Sequence, residues 1–377
     1  MADSVDFPCG DVVLVVRNHR FGRHKRDPIE HPPEAVQIRI LTIAGEAVVQ
    51  QTVNSIPESV ESIKVIAEEE INITGADVHV VSDGFTCKAT RKARAIEWAR
   101  LNVNCDQQFV LYLDEDTVVR EFHGLPDTDI VQLSERPIRS DGWIPYLAEM
   151  FRMGFQIEMR TFPRFKYPLY AWGGGFAVKK SLEDEITWDV NTVTEDTNFI
   201  WRAFQNGGVE MQFLDVKLRN QAPPTIREMI HQRRRWISGA IKDRNLLPFR
   251  YRVLSLLRNT AWGLVVVSPV LLVPVFTPIE QTLYPNVYGT LLLAQLLGLY
   301  GWGIIGYWYY CERLRVLILL IVILPITAIS HGIGAFWALL SPTDDFRVTE
   351  KVTPEDIAED ESETAATVTP NTGNQNQ

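Results

Sequence analysis

Cysteine is scarce: the 377 residues contain four, Cys9, Cys87, Cys105 and Cys311. None forms a CxxC or other metal-ligand spacing, which argues against a zinc or disulfide framework and for a reducing, cytosol-facing catalytic part. A basic excess is also missing. Lys and Arg number 37 against 47 Asp and Glu, a formal net charge of −10, which excludes a general nucleic-acid binder. Neither a G-x-G-x-x-G fingerprint nor a Walker loop occurs, so no dinucleotide or P-loop triphosphate site is indicated. The opening Met1-Ala2-Asp3-Ser4 has neither the basic n-region nor the apolar h-region of a signal peptide. Charge itself nearly vanishes over residues 260–340, where Glu280, Glu312, Arg313 and Arg315 are the charged side chains. An apolar run of that length demands a bilayer.

Hydrophobic residues make up 46% of the chain, enough for a substantial core. Residues 1–35 are polar, with a basic cluster from Arg20 to Arg26 closed by Pro28, Pro32 and Pro33, and read as an extension. From Val36 the pattern changes. Val36–Thr42 is strand-like and leads through Ala44-Gly45 into a helix from Glu46 to about Pro57. A second strand over Val78–Val81, a helix over Lys88–Asn102 and an apolar strand Phe109–Leu113 follow. This alternation predicts an α/β domain over residues 36–258 with a doubly wound, mostly parallel sheet. Ligands of such sheets gather at the carboxyl ends of the strands, where Thr42, Asp83, Asp114 and Asp116 fall.

Three uncharged stretches, Thr260–Ile279, Gln281–Cys311 and Val316–Leu340, divide a membrane region over residues 259–340. Nine basic residues against two acids between 227 and 258 place the preceding domain in the cytosol, making this an integral membrane protein. Three full spans would put the tail outside, whereas Arg313 and Arg315 favour the inner side. Pro325 and His331 mark the last stretch as the one to be re-entrant or interfacial. Residues 341–377 carry nine acids and read as a solvated, largely disordered tail.

Four segments could carry chemistry. Asp114-Glu115-Asp116, at a strand end, presents hard oxygen ligands suited to Mg²⁺ or Mn²⁺ with bound phosphates, or is a solvated acidic turn. In Thr194-Glu195-Asp196-Thr197, Asp196 suits a general base, although Thr194 could simply cap the following helix. Gln232-Arg233-Arg234-Arg235-Trp236 suits a diphosphate, or anchors the chain on anionic headgroups. Trp172-Gly173-Gly174-Gly175-Phe176 lets a substrate approach the backbone, or is a flexible loop.

In order, these segments resemble the membrane-associated family 2 glycosyltransferases of GT-A type. Asp83 matches the acid after the second strand, and Lys92-Ala93-Arg94-Ala95 resembles a Lys-Ala-x-Ala segment. Asp114-x-Asp116 is similar to the DxD motif, Glu195-Asp196 to the ED motif, and Gln232-x-x-Arg235-Trp236 to QxxRW. Phe346-x-Val348-Thr349-x-Lys351 resembles a segment that follows the C-terminal spans. Thr187-Trp188-Asp189, Glu195–Phe199 and Gln232–Trp236 further resemble the Egghead-type β-1,4-mannosyltransferases. Two departures stand out: Thr42–Glu46 replaces a proline-rich loop, and the N-terminal spans common among relatives are absent.

The resemblance implies inverting transfer of a sugar from a nucleotide-diphosphate donor, GDP-mannose or a UDP-sugar, to a lipid-linked or glycan acceptor at the cytosolic membrane face. Asp196 would be the base, with Glu195 beside it. Thr42, Glu46, Asp83, Lys92, Asp114, Gln232, Arg235 and Trp236 would bind the donor. Trp172, Gly173, Gly174 and Gly175 would meet the acceptor, and Asp114 and Asp116 would hold Mg²⁺ or Mn²⁺. Membrane lipids are expected partners and nucleic acid is not. A processive polysaccharide synthase and a membrane nucleotidyltransferase remain as alternatives.

Overall fold

A computed structural model describes residues 29–140, 142–267, 278–282, 284–310, 314–345 and 351. The elements run β1 (Val36–Thr42), α1 (Glu46–Ser55), β2 (Ser62–Ala67), β3 (Asp77–Val80), α2 (Lys92–Asn102), β4 (Phe109–Asp114), β5 (Ile130–Ile138), α3 (Trp143–Met153), α4 (Phe155–Met159) and β6 (Phe176–Lys179). There follow α5 (Lys180–Ile186), α6 (Glu195–Asn206), β7 (Met211–Gln221), α7 (Ile226–Asp243), α8 (Phe249–Leu264), α9 (Pro285–Tyr310) and α10 (Leu314–Leu340).

The seven strands form one sheet in the order β3-β2-β1-β4-β6-β5-β7. β3, β2, β1 and β4 are parallel, β6 is antiparallel to both its neighbours, and β5 runs parallel to β7. All seven residues of β1 are buried, because helices cover both faces of the sheet. Val36, Ile38 and Ile40 point into one core, while Leu41 joins Tyr112 and Phe176 in the other. The expected doubly wound, mostly parallel sheet is present. β1 occupies the expected residues, and α1 stops two residues before Pro57. β2 was not foreseen: Ser62-Ile-Lys-Val-Ile-Ala offers a short run without turn punctuation, and its first half stays half-buried even when paired between β1 and β3.

Register brings the strand ends to one edge. Thr42 pairs with Ala67 and Leu41 with Asp114, so the loops after β1, β2 and β4 emerge side by side. On the other flank, α7 begins at Thr225, whose hydroxyl accepts from the Glu228 backbone N–H.

Residues Pro285–Trp308 and Leu314–Leu340 form helices long and apolar enough to cross a bilayer. α10 continues without a break through Pro325. Its second half is locked to α7. A Cβ on Gly334 would lie 2.3 Å from the Ile230 carbonyl oxygen, and His331 is fully buried. The first expected apolar stretch begins within α8, and its residues 268–277 lie outside the described residues. So do residues 1–28 of the extension, the Phe346–Glu350 part of the last motif and nearly all of the acidic tail.

Candidate active site

A cavity of about 570 Å³ opens along the carboxyl edge of the sheet and runs beneath α7 and α8. Thr42, Lys92, Asp114, Asp116, Trp172, Gly173, Gly174, Glu195, Asp196, Gln232, Arg235 and Trp236 all line it. Gly175 lies just behind, its positive φ of 70° and its closeness to Leu218 requiring glycine. Two expected donor residues fall elsewhere. Asp83 is exposed in the loop beyond β3, and Glu46, also exposed, accepts from the Asn72 backbone N–H at 3.1 Å. The unforeseen β2 explains the displacement: the acid that reaches the cavity next to Thr42 is Glu68, directly after that strand.

Asp116 is 4% exposed, which rules out a solvated turn. Its Oδ2 accepts from the Gln221 backbone N–H at 3.0 Å and faces the Lys351 ammonium at 2.8 Å, while Oδ1 is buried without a hydrogen-bond partner among the described residues. Burial alone would raise the Asp114 pKa, but the Lys92 and Lys351 ammoniums hold it below the usual carboxylate range. Asp114 therefore stays ionised at neutral pH. No cluster of three His, Cys, Asp or Glu ligands occurs among the described residues. Two carboxylates, one oxygen unpartnered and a lysine standing in as cation, suit a divalent ion that takes its other ligands from phosphates and water.

Lys92, at the start of α2, donates to Asp114 Oδ1 at 2.7 Å and lies 3.5 Å from Glu195 Oε1. Burial would lower its pKa, yet Asp114 and Glu195 raise it. Asp196 follows on the first turn of α6. Its Oδ1 accepts from the Thr197 backbone N–H at 2.6 Å. Burial, with the neighbouring Glu195 charge, pushes its pKa up to about 7, as a base working near neutrality requires. The capping alternative for Thr194 is not realised, since its hydroxyl makes no cap bond and instead packs against Gly239.

The glycine loop is held by close contact. A Cβ on Gly173 would lie 3.0 Å from Lys92 Nζ, and one on Gly174 would lie 2.8 Å from Glu135 Oε1. The three arginines of α7 diverge. Arg235 enters the cavity, where burial lowers its pKa against the opposing pull of Glu195, Asp114 and Asp196. Arg234 stacks on Trp337 at 3.9 Å. Arg233 is fully buried, pulled down to about 9 by burial, and bonds Glu149, Gln232 and His331.

Residues the sequence did not single out join these parts. Arg152 sits 4.1 Å from the Trp172 ring and 5.2 Å from the Trp236 ring, and bonds Glu135 and Glu149. It clamps the glycine loop to α7. The available signal was a Glu149/Arg152 pair at i, i+3 within the otherwise apolar helix α3. Replacing Arg152 by Met leaves buried Glu135 without its cation and Glu149 with Arg233 alone, and should destabilise the fold by about 3–5 kcal/mol. Denaturant unfolding checks this, and Arg152→Lys should lose less.

A parallel sheet edge carrying paired carboxylates, a half-buried aspartate of raised pKa and a cavity-facing arginine has the make-up of an α/β group-transfer site suited to a diphosphate. The chain belongs to glycosyl transferase family group 2, whose family model matches residues 109–337. Beta-1,4-mannosyltransferase egh of Drosophila melanogaster is 23% identical over 289 residues, 69% of this chain and 63% of that protein. The chain thus spans less than two thirds of that relative's length. Beta-1,4-mannosyltransferase bre-3 of Caenorhabditis elegans is 26% identical over 105 residues, 26% of this chain and 23% of that protein. Among solved structures, the mannosyltransferase PcManGT from Pyrobaculum calidifontis, in complex with GDP-Man and Mn²⁺, superposes with a TM-score of 0.50 at 12% identity. The match covers 89% of this chain and 94% of that one, and bears out the GT-A fold.

Proposed function

We propose that the protein is an inverting hexosyltransferase that moves one sugar from a nucleoside-diphosphate donor to a hydroxyl of a lipid-linked acceptor, at the cytosolic membrane face. The names of the relatives favour mannose, carried as GDP-mannose. One observation carries the reading: Asp196, half-buried and oriented by the Thr197 N–H, shares a single cavity with Asp114, Asp116 and Arg235. A divalent cation held by Asp114 and Asp116 would supply positive charge against the diphosphate. Arg235 adds a guanidinium on the same side, where charge develops as the bond from the anomeric carbon to the phosphate oxygen breaks. Asp196 takes the proton of the acceptor hydroxyl as its oxygen forms the new bond to that carbon from the opposite face. Lys92 fixes the Asp114 and Glu195 carboxylates relative to each other.

The basic stretch 227–258 supports a cytosolic catalytic domain. Two membrane-length helices among the described residues are a narrow platform for a polymer channel, which favours adding one or a few sugars over processive synthesis. The test is a screen of GDP-mannose, UDP-glucose and UDP-GlcNAc with membranes containing the full chain. Release of free nucleoside diphosphate with sugar appearing in the lipid fraction is expected. Release of pyrophosphate would identify a nucleotidyltransferase instead, and long soluble polymer a processive synthase.

A further inference from the structure

Of the three arginines of α7, two are accounted for: Arg235 faces the reacting groups, and Arg233 is buried in the ion-pair network behind them. Arg234 lines a second cavity, of about 340 Å³. Arg227, His231 and Arg234, at i, i+4 and i+7, come to it along one stripe of α7. Trp337 reaches it from α10, and Thr343 and Asp345 from the chain beyond. Gln232 and Arg235 line both this cavity and the catalytic one, so the two lie on either side of the same residues.

Charge points to what the cavity takes. Arg100, Arg152, Arg160 and Arg258 each lie within 3.1 Å of a carboxylate. Arg234 instead donates from Nε and Nη2 to the neutral Ser341 carbonyl at 3.2 and 2.8 Å, with its guanidinium over the Trp337 ring. Its Nη1 donates to nothing among the described residues, and Arg227 is exposed without a partner among them. Two acids, Glu228 and Asp345, also line the cavity, against three arginines with Arg235 counted. Seven residues of helix separate Arg227 from Arg234, about 10 Å along the axis, which two long side chains can span to meet on one group. A guanidinium fixed with one edge free, and a second on the same stripe, suit a phosphate.

The apolar surroundings say which phosphate. Ile318, Val322, Ile326, Ile333 and Trp337 fall on one face of α10, each at least 36% exposed. On a helix long and apolar enough to cross a bilayer, acyl chains cover such a face. It reaches Trp337 three residues before the end of α10, and tryptophan at the end of a span sits at the level of the headgroups. Trp337 belongs to this face and to the basic cavity alike, so a chain lying along α10 brings its headgroup to Arg234.

We infer that Arg227 and Arg234, against the Trp337 ring, bind the phosphate of a membrane phospholipid whose acyl chain lies along this face of α10. The bound lipid holds α7, the helix that carries Gln232 and Arg235, against the bilayer. A free phosphate meets the same arginines but leaves the apolar face of α10 uncovered.

The test uses the full-length protein in dodecyl maltoside and phosphate-free buffer, reading the thermal midpoint as each probe is added. Probes are dioleoyl phosphatidylglycerol, dioleoylglycerol, which has the same chains without the phosphate, and inorganic phosphate. Phosphatidylglycerol should raise the midpoint by about 3 °C or more at saturation, and neither comparator should do so. Arg227→Gln changes an exposed side chain that has no partner among the described residues, so the fold is kept. Arg234→Lys keeps the charge and loses the planar fork. Each should raise the half-saturating fraction of phosphatidylglycerol in the micelle about tenfold. Arg250→Gln, an exposed arginine of α8, should leave that fraction unchanged. The inference is overturned by no shift with phosphatidylglycerol, or by dioleoylglycerol or inorganic phosphate matching it. An undiminished response in both variants, or an equal loss in Arg250→Gln, overturns it too. None of these readings uses a nucleotide sugar, so the outcome is independent of the transferase reading.

Discussion

Asp196→Asn should lower sugar transfer by about 10²–10⁴-fold, roughly 3–5 kcal/mol of transition-state stabilisation, while leaving nucleotide binding nearly unchanged. The substitution keeps the size of the side chain and an oxygen for the Thr197 N–H, but removes the proton acceptor. The groups facing the diphosphate, Asp114, Asp116 and Arg235, are untouched. The pH profile supplies a second reading. Because burial and Glu195 raise the Asp196 pKa to about 7, the base is protonated and idle below that pH. In the parent enzyme kcat/KM should climb about tenfold per unit up to pH 7 and then level, and the variant should lose this limb. Stability separates chemistry from misfolding. A carboxyl whose pKa is raised on folding binds its proton more tightly in the folded state, so its ionisation destabilises the fold as pH rises from about 4 through 7. The Asn variant carries no such charge, and its thermal midpoint above pH 7 should equal or exceed that of the parent. Full transfer activity in Asp196→Asn would remove the base from the mechanism.

Much of this site was legible in the sequence because its motifs sit where local patterning is strong. Phe109–Leu113 is an unbroken apolar run, so its exit at Asp114 could be placed on a strand end, and the carboxylates follow from that placement. Glu195 and Asp196 fall on the first turn of a helix that the sequence also marked. Asp83 illustrates the converse. Its assignment depended on counting strands, and β2 acquires its character only from pairing with β1, so the count slipped and Glu68 took the expected place. Arg152 was illegible for a different reason. Its role comes from lying between Trp172 and Trp236, residues 20 and 84 positions away, and no local spacing encodes such a meeting. The same holds for Arg234, which reads as one of three adjacent arginines until α10 brings Trp337 against it.

Asp116→Ala should abolish the metal-dependent part of donor binding. Asp116 is the most deeply buried acid of its motif, and one of its oxygens has no hydrogen-bond partner among the described residues, so its lone pairs are available to an ion. Lys351 already places a positive charge 2.8 Å from the other oxygen, which shows that this carboxylate attracts and holds a cation. Without Asp116, Asp114 alone remains, tied to Lys92 at 2.7 Å, and a single neutralised carboxylate is a poor ligand for a hard ion. In the parent, Mn²⁺ should tighten nucleoside-diphosphate binding by at least tenfold. That gain should also appear as added thermal stability, because a ligand that binds only the folded state raises the midpoint with its concentration over Kd. Asp116→Ala should show neither effect. Asp116→Asn preserves an acceptor for the Gln221 N–H and nearly the same volume, so its loss of the Mn²⁺ response would isolate the charge from the packing. Equal nucleotide affinity with and without Mn²⁺ in the parent, or an undiminished Mn²⁺ response in both variants, would rule out this pair as the metal site. Arg235 and Lys92, with Lys351 and Arg91 in the same cavity, would then be left as counter-charges to the leaving diphosphate.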